Sequence, residues 1–219
     1  MKRAICCLLA FVLPGTGCSL VMDADFDRYE LAEQGTGGAA GAGGMGGQGG
    51  TGGAAGACSA TLVLNEVQTG SLQGVDDEFV ELYNPGACPI PLEPYALVYR
   101  STSATVDHGV VWSEAGRAVA PGAFFVIAGA GYGLTADAKF PSGMALAAGG
   151  AGLALRLSGE IVSRVGWGDA TNDFVAGVAA VAPAPGESIR RVPDGTDTGN
   201  NSVDFVVGVP TPGASNQGP

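Results

Sequence analysis

A tract made almost entirely of glycine and alanine, residues 35–57, separates two parts of this chain that differ in composition. Such a segment buries too little apolar surface to offset the conformational entropy lost on folding. It lacks the strict three-residue period and the proline of collagen. We therefore predict a flexible tether with a root-mean-square span of about 25 Å. With the short acidic stretch before it, the linker region covers residues 18–57.

Residues 58–219 contain short apolar bursts separated by Gly, Pro, Asn and Asp. In one burst, alternation places Val80 and Leu82 on one side of a strand and Glu81 on the other. The predicted strands cover residues 60–67, 78–84, 96–101, 109–112, 124–128, 152–157, 161–167 and 188–192. Because turn residues lie between them and no segment has a clean helical period, we predict one all-β domain, a sandwich or a barrel.

The start of the chain has the features of an export signal. Two basic residues precede an apolar run, residues 4–13, and small residues follow up to Cys18. This order is typical of a secretory signal peptide, which we place at residues 1–17. The cysteine directly after small residues resembles the lipobox of bacterial lipoproteins, with Gly15 where a branched residue usually stands. The resemblance implies lipidation of Cys18, and signal cleavage without lipid is the alternative.

The five cysteines divide by position. Two lie in the predicted signal peptide and Cys18 is the predicted lipid site, which leaves Cys58 and Cys88 as one pair. In an exported protein this pair predicts a disulfide, with two separate buried thiols as the alternative. Two cysteines and one histidine supply too few ligands at the usual spacing for zinc.

The chain is acidic, with a net charge of −11. Nucleic-acid-binding proteins usually present a basic surface that neutralises phosphates. Arg190 and Arg191 form the only adjacent basic pair after the predicted signal. The net charge therefore does not favour DNA or RNA binding. Arg190 and Arg191 are the residues to replace in a test of such binding.

Several motifs occur in a characteristic order. Residues 64–67 (LNEV) and 78–85 (EFVELYNP) come first, and 119–127 (VAPGAFFVI) lies in the centre. Residues 188–216 contain SIRR, TDTGN, DF and PTPGASN. Together these segments resemble the lamin tail domain over almost all of residues 60–216.

The resemblance implies an immunoglobulin-like β-sandwich that serves as an interaction or tethering module, often in exported bacterial proteins, and not as a catalyst. Residues 93–95 (EPY) stand where many members have a Gly-Trp pair, which bears on the local turn more than on the fold. Since one fold hosts many functions, the functional part of this implication is an analogy.

Candidate catalytic groups are few. A Ser-His-Asp triad would have to use His108, the only histidine, and Asp107, yet adjacent strand residues point to opposite faces. The sequence contains no G-x-S-x-G nucleophile motif. Paired carboxylates can act as acid and base in the hydrolysis of sugars, and the sequence has carboxylates at residues 76–78, Glu66 and Glu81. We interpret these carboxylates as loop and strand-face groups. We therefore expect no enzymatic activity.

One loop is dense in oxygen ligands. Asp194, Asp197, Asn200 and Asp204 are candidates for a weak calcium site, since calcium takes six to eight oxygens. The spacing does not match an EF-hand, and Asx turns explain the same residues. We expect no other cofactor.

These features predict a lipid-anchored, exported, non-catalytic protein of the cell envelope that binds a protein or envelope partner and has no small-molecule substrate. Ser19 follows Cys18 where inner-membrane retention would favour aspartate, so we expect the outer membrane or cell surface. A secreted, unlipidated form is the alternative location. Nucleic-acid binding and a module associated with a secreted hydrolase are the alternative functions.

Overall fold

The computed structural model describes residues 58–72, 74, 76–110 and 114–218, and nearly all regular structure in them is β. The elements are β1 (Val63–Gln68), β2 (Phe79–Tyr83), β3 (Ile90–Pro91), β4 (Tyr95–Ser101), β5 (His108–Val110), β6 (Ala118–Val119), β7 (Phe124–Ala128), β8 (Ala138–Lys139), β9 (Gly150–Leu157), β10 (Glu160–Gly168), β11 (Ser188–Arg191), α1 (Asn201–Asp204) and β12 (Phe205–Gly208). The predicted signal peptide, Cys18 and the glycine- and alanine-rich tract lie outside the described residues. Within those residues, no helix has the length and apolar character needed to cross a membrane.

The strands form two main sheets that pack face to face. The six-stranded sheet has the order β12-β11-β1-β2-β7-β8, and the four-stranded sheet has the order β10-β9-β4-β5. All pairings in these sheets are antiparallel except β7 with β8. Strands β3 and β6 make a small separate ribbon. The predicted immunoglobulin-like, all-β sandwich is therefore confirmed.

Each predicted strand corresponds to an observed one, with ends shifted by a few residues. The sequence patterns missed β3, β6, β8 and β12. The first three have two residues each, too few to show an alternation. Strand β12 follows a four-residue helix directly, so no turn residue marks where it starts.

One hydrophobic core fills the space between the sheets. Val80 and Leu82 point into it from β2, which confirms the predicted alternation. Its largest fully buried apolar side chains include Leu62, Leu64, Leu97, Ile127, Leu153, Leu155 and Trp167. Phe79 belongs instead to a smaller cluster with Val126, Ala128 and Tyr132 on the outer face of the six-stranded sheet, the face turned away from the core.

A β-bulge at Asn65 breaks the alternation of β1. Leu64 lies opposite Leu82, but Glu66 lies opposite Glu81, so Asn65 is the extra residue. In an uninterrupted strand Leu64 and Glu66 would share a face. The bulge keeps Leu64 in the core and sends Glu66 to the outer face of the sheet.

The predicted disulfide between Cys58 and Cys88 is present, with the two Cα atoms 5.7 Å apart. It joins the segment before β1 to the connection between β2 and β3. The alternative of two separate thiols is therefore excluded.

A cover loop, residues 169–180, packs on the outer face of the four-stranded sheet. Phe174 is fully buried there against Val98 and Ala154. A Cβ atom at Gly152 would lie 2.8 Å from the Cβ of Phe174, and one at Gly166 would lie 2.5 Å from a methyl carbon of Val175. Glycine at these two strand positions lets the loop approach the sheet backbone.

We predict that Gly166→Ala lowers the free energy of unfolding by about 1–3 kcal/mol, because the added methyl group displaces Val175. Gly149→Ala is the matched control, since a Cβ atom there meets nothing within 4 Å. Chemical denaturation followed by tryptophan fluorescence measures both. Equal denaturation midpoints for the two variants would contradict the close packing of the cover loop.

We predict that replacing Cys58 and Cys88 together with serine costs about 3.5 kcal/mol of stability, the entropy of closing a loop across their separation of 30 residues. The measurement is urea unfolding under non-reducing conditions. Cys18→Ser serves as the control and leaves the midpoint unchanged. A double variant as stable as the parent would show that the bridge adds no stability.

Candidate functional site

The candidate pair of His108 and Asp107 lies at an outer edge of the four-stranded sheet. His108 lies exposed on the edge strand β5. Both carboxylate oxygens of Asp107 accept hydrogen bonds from arginines, Arg100 at 2.6 Å and Arg156 at 3.0 Å. The carboxylate is thus held by a surface ion-pair network.

The four calcium candidates make protein contacts. Asp194 accepts hydrogen bonds from the Asn65 amide and the Asn216 backbone, and Asn200 caps α1. Asp204 accepts from Thr198 and, with Asp197, pairs with Arg191. Within the described residues, no group of three or more His, Cys, Asp or Glu side chains is arranged to hold a metal ion. Calcium binding stays an untested prediction, and the same oxygens already stabilise the loop.

The adjacent arginines are structural. Arg191 is fully buried, 3.1 Å from the equally buried Asp204 and stacked on Phe205 at 4.4 Å. Burial lowers the pKa of Arg191, while the charges of Asp197 and Asp204 oppose that change. Arg190 is also buried and donates to the carbonyl of Val209. Both side chains are therefore buried and engaged within the protein, and nucleic-acid binding stays an untested alternative.

Two buried carboxylates hold the 209–217 segment across the outer face of the six-stranded sheet. Glu66 accepts hydrogen bonds from the backbone of Thr211 at 3.0 Å and from its hydroxyl at 3.2 Å. Glu81 accepts from the backbone of Gly213 at 2.6 Å and from the Asn65 amide at 3.0 Å. The sequence indicated that Glu81 is a strand-face group but did not indicate that both carboxylates are buried.

Burial changes the protonation of these groups. Desolvation raises the pKa of Glu81 to about 8, and the charges of Glu66 and Asp194 act in the same direction. Desolvation also raises the pKa of Glu66, against hydrogen bonds from Ser188 and Thr211 that lower it. The pKa of Glu78, which accepts from the backbone of Leu146, is raised to about 7 for the same reason. Glu81 therefore keeps its proton to a higher pH than an exposed glutamate does.

A groove of about 600 Å³ opens on this outer face, beside the 209–217 segment. Gln68 and Phe79, buried cross-strand partners, form its floor. Its other lining residues are Ser71, Leu72, Asp77, Gly131, Tyr132, Gly133, Leu134, Gly186, Pro210 and Pro212. The groove thus combines aromatic, aliphatic and proline surfaces with one carboxylate.

Tyr132 is the chemically distinctive residue of the groove. Its ring packs on Phe79 with the centroids 5.6 Å apart, and more than nine-tenths of the residue is buried. Its hydroxyl is buried and has no hydrogen-bond partner among the described residues. Desolvation, with the charges of Asp77, Glu66 and Glu81, raises the pKa of Tyr132 to about 12. A buried donor without an acceptor costs about 1–3 kcal/mol, which an incoming acceptor would recover.

Two exposed leucines flank the groove. Leu72 is 83% exposed and Leu134 is 68% exposed, whereas Phe79 and Tyr132 between them are buried. Apolar groups gathered at the rim of a concave site are typical of surfaces that bind another molecule. Sequence patterns could not indicate the groove, because its lining comes from three connections between strands, the 209–217 segment and one strand pair.

We predict that the domain loses stability as the pH rises from about 5 to about 9. The folded-state pKa of Glu81, about 8, lies above its usual 4.5, so the folded protein keeps a proton that the unfolded chain releases in this window. Glu78, with a pKa of about 7, adds to the effect. The expected loss in the free energy of unfolding is roughly 4–6 kcal/mol.

Urea unfolding at several pH values measures this dependence, and Glu81→Gln makes it shallower because glutamine stays neutral. The exposed Glu160→Gln is the control and leaves the slope unchanged. A stability that rises across the same window would contradict the raised pKa of Glu81.

Comparison with known proteins agrees with the fold. Residues 56–169 match the family model of the lamin tail domain, more than half of the chain. No curated protein matches the chain. The matched range reaches the end of β10, and the motifs at residues 188–216 lie beyond it but form β11, β12 and most of the 209–217 segment. The chain therefore belongs to the lamin tail domain family.

Proposed function

We propose that this protein is an exported, lipid-anchored and non-catalytic component of the cell envelope, whose lamin tail domain binds a protein partner through the groove. The family match supports an immunoglobulin-like interaction module. The disulfide supports an oxidising compartment. The order of charged, apolar and small residues before Cys18 supports export and lipid attachment.

The observation that carries the binding role is the buried hydroxyl of Tyr132. Among the residues that line the groove, this hydroxyl is the buried polar atom without a hydrogen-bond partner among the described residues. Buried atoms of Glu78, Arg190 and Asn216 also lack a partner there, but those residues do not line the groove. A backbone carbonyl of a bound polypeptide supplies the acceptor that the Tyr132 hydroxyl lacks. Loss of the unsatisfied donor on binding favours the complex.

The lining of the groove indicates the chemistry of the partner. Its walls are aliphatic, aromatic and proline surfaces, and Asp77 lies among them. Asp76 is exposed next to it, and the whole chain has a net charge of −11. We therefore propose an extended segment with apolar side chains and at least one lysine or arginine, since opposite charges bring partners together and select among them.

The candidate catalytic groups are exposed singly or engaged within the protein. His108 is exposed on an edge strand, and Asp107 is held by two arginines. The buried carboxylates Glu66 and Glu81 lie under the 209–217 segment, bonded to its backbone. Neither set presents an acid and a base to a substrate.

We predict that a photo-crosslinking amino acid at Leu134 labels a discrete partner in intact envelopes, and that the added substitution Leu72→Asp abolishes this labelling. The same amino acid at Val106, which is 67% exposed and lies outside the groove, is the matched control. The labelled partner segment is then made as a peptide. The affinity of this peptide for the parent protein is compared with its affinity for the Tyr132→Phe variant. Equal labelling at both positions, or a segment without basic residues, would contradict the proposal.

Lipid attachment is tested separately by the intact mass of the protein extracted with detergent from its native host. The proposal expects a chain that starts at Cys18 with attached acyl groups, and a Cys18→Ser variant that no longer partitions into detergent. An unlipidated mature form would remove the membrane anchor and leave the groove proposal standing.

A further inference from the structure

The floor of the groove belongs to strands whose backbones are already paired. Gln68 of β1 lies opposite Phe79 of β2, and each of these strands has a second neighbour, β11 beside β1 and β7 beside β2. Both edges of both strands are therefore occupied. A segment that binds in the groove lies on the face of the sheet and cannot join it as a further strand.

The Tyr132 hydroxyl restricts the conformation of the bound segment. This buried donor has no partner among the described residues, so it needs a carbonyl that is not already hydrogen-bonded. Carbonyls inside an α-helix are bonded within the helix, and those of a paired strand are bonded to the neighbouring strand. A polyproline II segment has no internal hydrogen bonds, so each of its carbonyls is free to accept from the hydroxyl.

The apolar lining of the groove suits the rings of proline. Phe79 and Tyr132 pack together with their ring centroids 5.6 Å apart, and Leu72 and Leu134 are exposed at the rim. Aromatic-lined grooves bind proline-rich segments well because such segments are already ordered before they bind. Proline also has no backbone N–H, so its burial in an apolar groove leaves no donor unpaired.

Asp77 places a negative charge at the groove. None of the ion pairs among the described residues involves its carboxylate, and Asp76 beside it is exposed. The backbone carbonyl of Asp77 accepts a hydrogen bond from the Gln68 amide at 2.6 Å, which holds this residue next to the floor. A lysine or arginine of the bound segment is the complementary group.

We propose that the partner segment is proline-rich and binds the groove as a polyproline II helix, with a lysine or arginine at the end nearest Asp77. This inference rests on the proposal that the groove binds a polypeptide, and it adds the conformation and composition of that polypeptide. Polyproline II has three residues per turn, so prolines three residues apart share one face. That face packs on Phe79 and Tyr132, and a carbonyl between the two prolines accepts from the Tyr132 hydroxyl.

The first test is selection from a random peptide library displayed on phage. The target is the full mature chain with Cys18→Ser, so that a lipid cannot retain peptides. Groove ligands are the sequences that bind this protein but do not bind it when Leu72→Ser and Leu134→Ser are added, which removes both exposed leucines without changing the charge. We expect these ligands to share prolines three residues apart and a nearby lysine or arginine.

The outcomes of the selection separate this inference from the proposed function. Groove ligands that lack the proline spacing overturn the inference and leave the groove as a polypeptide-binding site. A library that yields no groove ligand contradicts both.

The second test measures affinities by calorimetry. A selected peptide of about nine residues, three turns of the helix, is compared with one in which valine replaces both prolines. Valine keeps the apolar character but restores the N–H and favours a strand. We expect the valine peptide to bind at least tenfold more weakly, and Tyr132→Phe to weaken binding of the proline peptide about three- to tenfold. Equal affinities of the two peptides overturn the inference, as does an unchanged affinity for Tyr132→Phe.

Asp77→Asn tests the position of the basic residue. We expect it to weaken binding of the proline peptide about two- to fivefold, and to have no effect on a peptide in which glutamine replaces the lysine or arginine. Glu160→Gln makes the same charge change at an exposed residue outside the groove and leaves both affinities unchanged. Equal losses for Asp77→Asn and Glu160→Gln would contradict a specific contact at Asp77.

Discussion

The bulge at Asn65 determines which chemistry the outer face of the six-stranded sheet presents. It keeps Leu64 in the core and turns Glu66 outward, directly opposite Glu81. Asn65 itself then bonds Glu81 and Asp194 at 3.0 and 2.9 Å. A regular strand would instead have placed the charge of Glu66 in the hydrophobic core, where an isolated carboxylate is not tolerated. The extra residue therefore places Glu66 in a polar site on the outer face of the sheet, where the side chain is compatible with the sandwich.

This polar site organises the 209–217 segment and, through it, the groove. Burying two facing carboxylates costs free energy, which explains the raised pKa of Glu81. The hydrogen bonds from Thr211 and Gly213 offset part of that cost and fix the segment on the sheet. Pro210 and Pro212 of this segment then line the groove together with Tyr132. The proposed binding surface and the pH dependence of stability thus have one physical origin.

Buried polar side chains also determine which sheet edges remain open. Asn201 bonds two backbone groups of β10 and one of Ala176, and the backbone of Ala180 bonds the same edge of β10. A side chain and a loop residue therefore close this edge. The pair of Arg191 and Asp204 at the start of β12 is fully buried, so neither of these two charges is exposed there. The same fold therefore protects one edge with a loop and buries a charged pair beside another.

The sequence by itself determined the class of fold, because alternation along a strand is a local property of consecutive residues. The strands of at least four residues, other than β12, and the pairing of Cys58 with Cys88 could all be read from it. Only the tertiary structure decided that Arg190 and Arg191 are buried, although their position in sequence resembles a surface pair. It alone also decided the groove, since Leu72, Tyr132 and Pro212 are far apart in the chain. Burial and proximity depend on which segments pack together, and no local pattern contains that information.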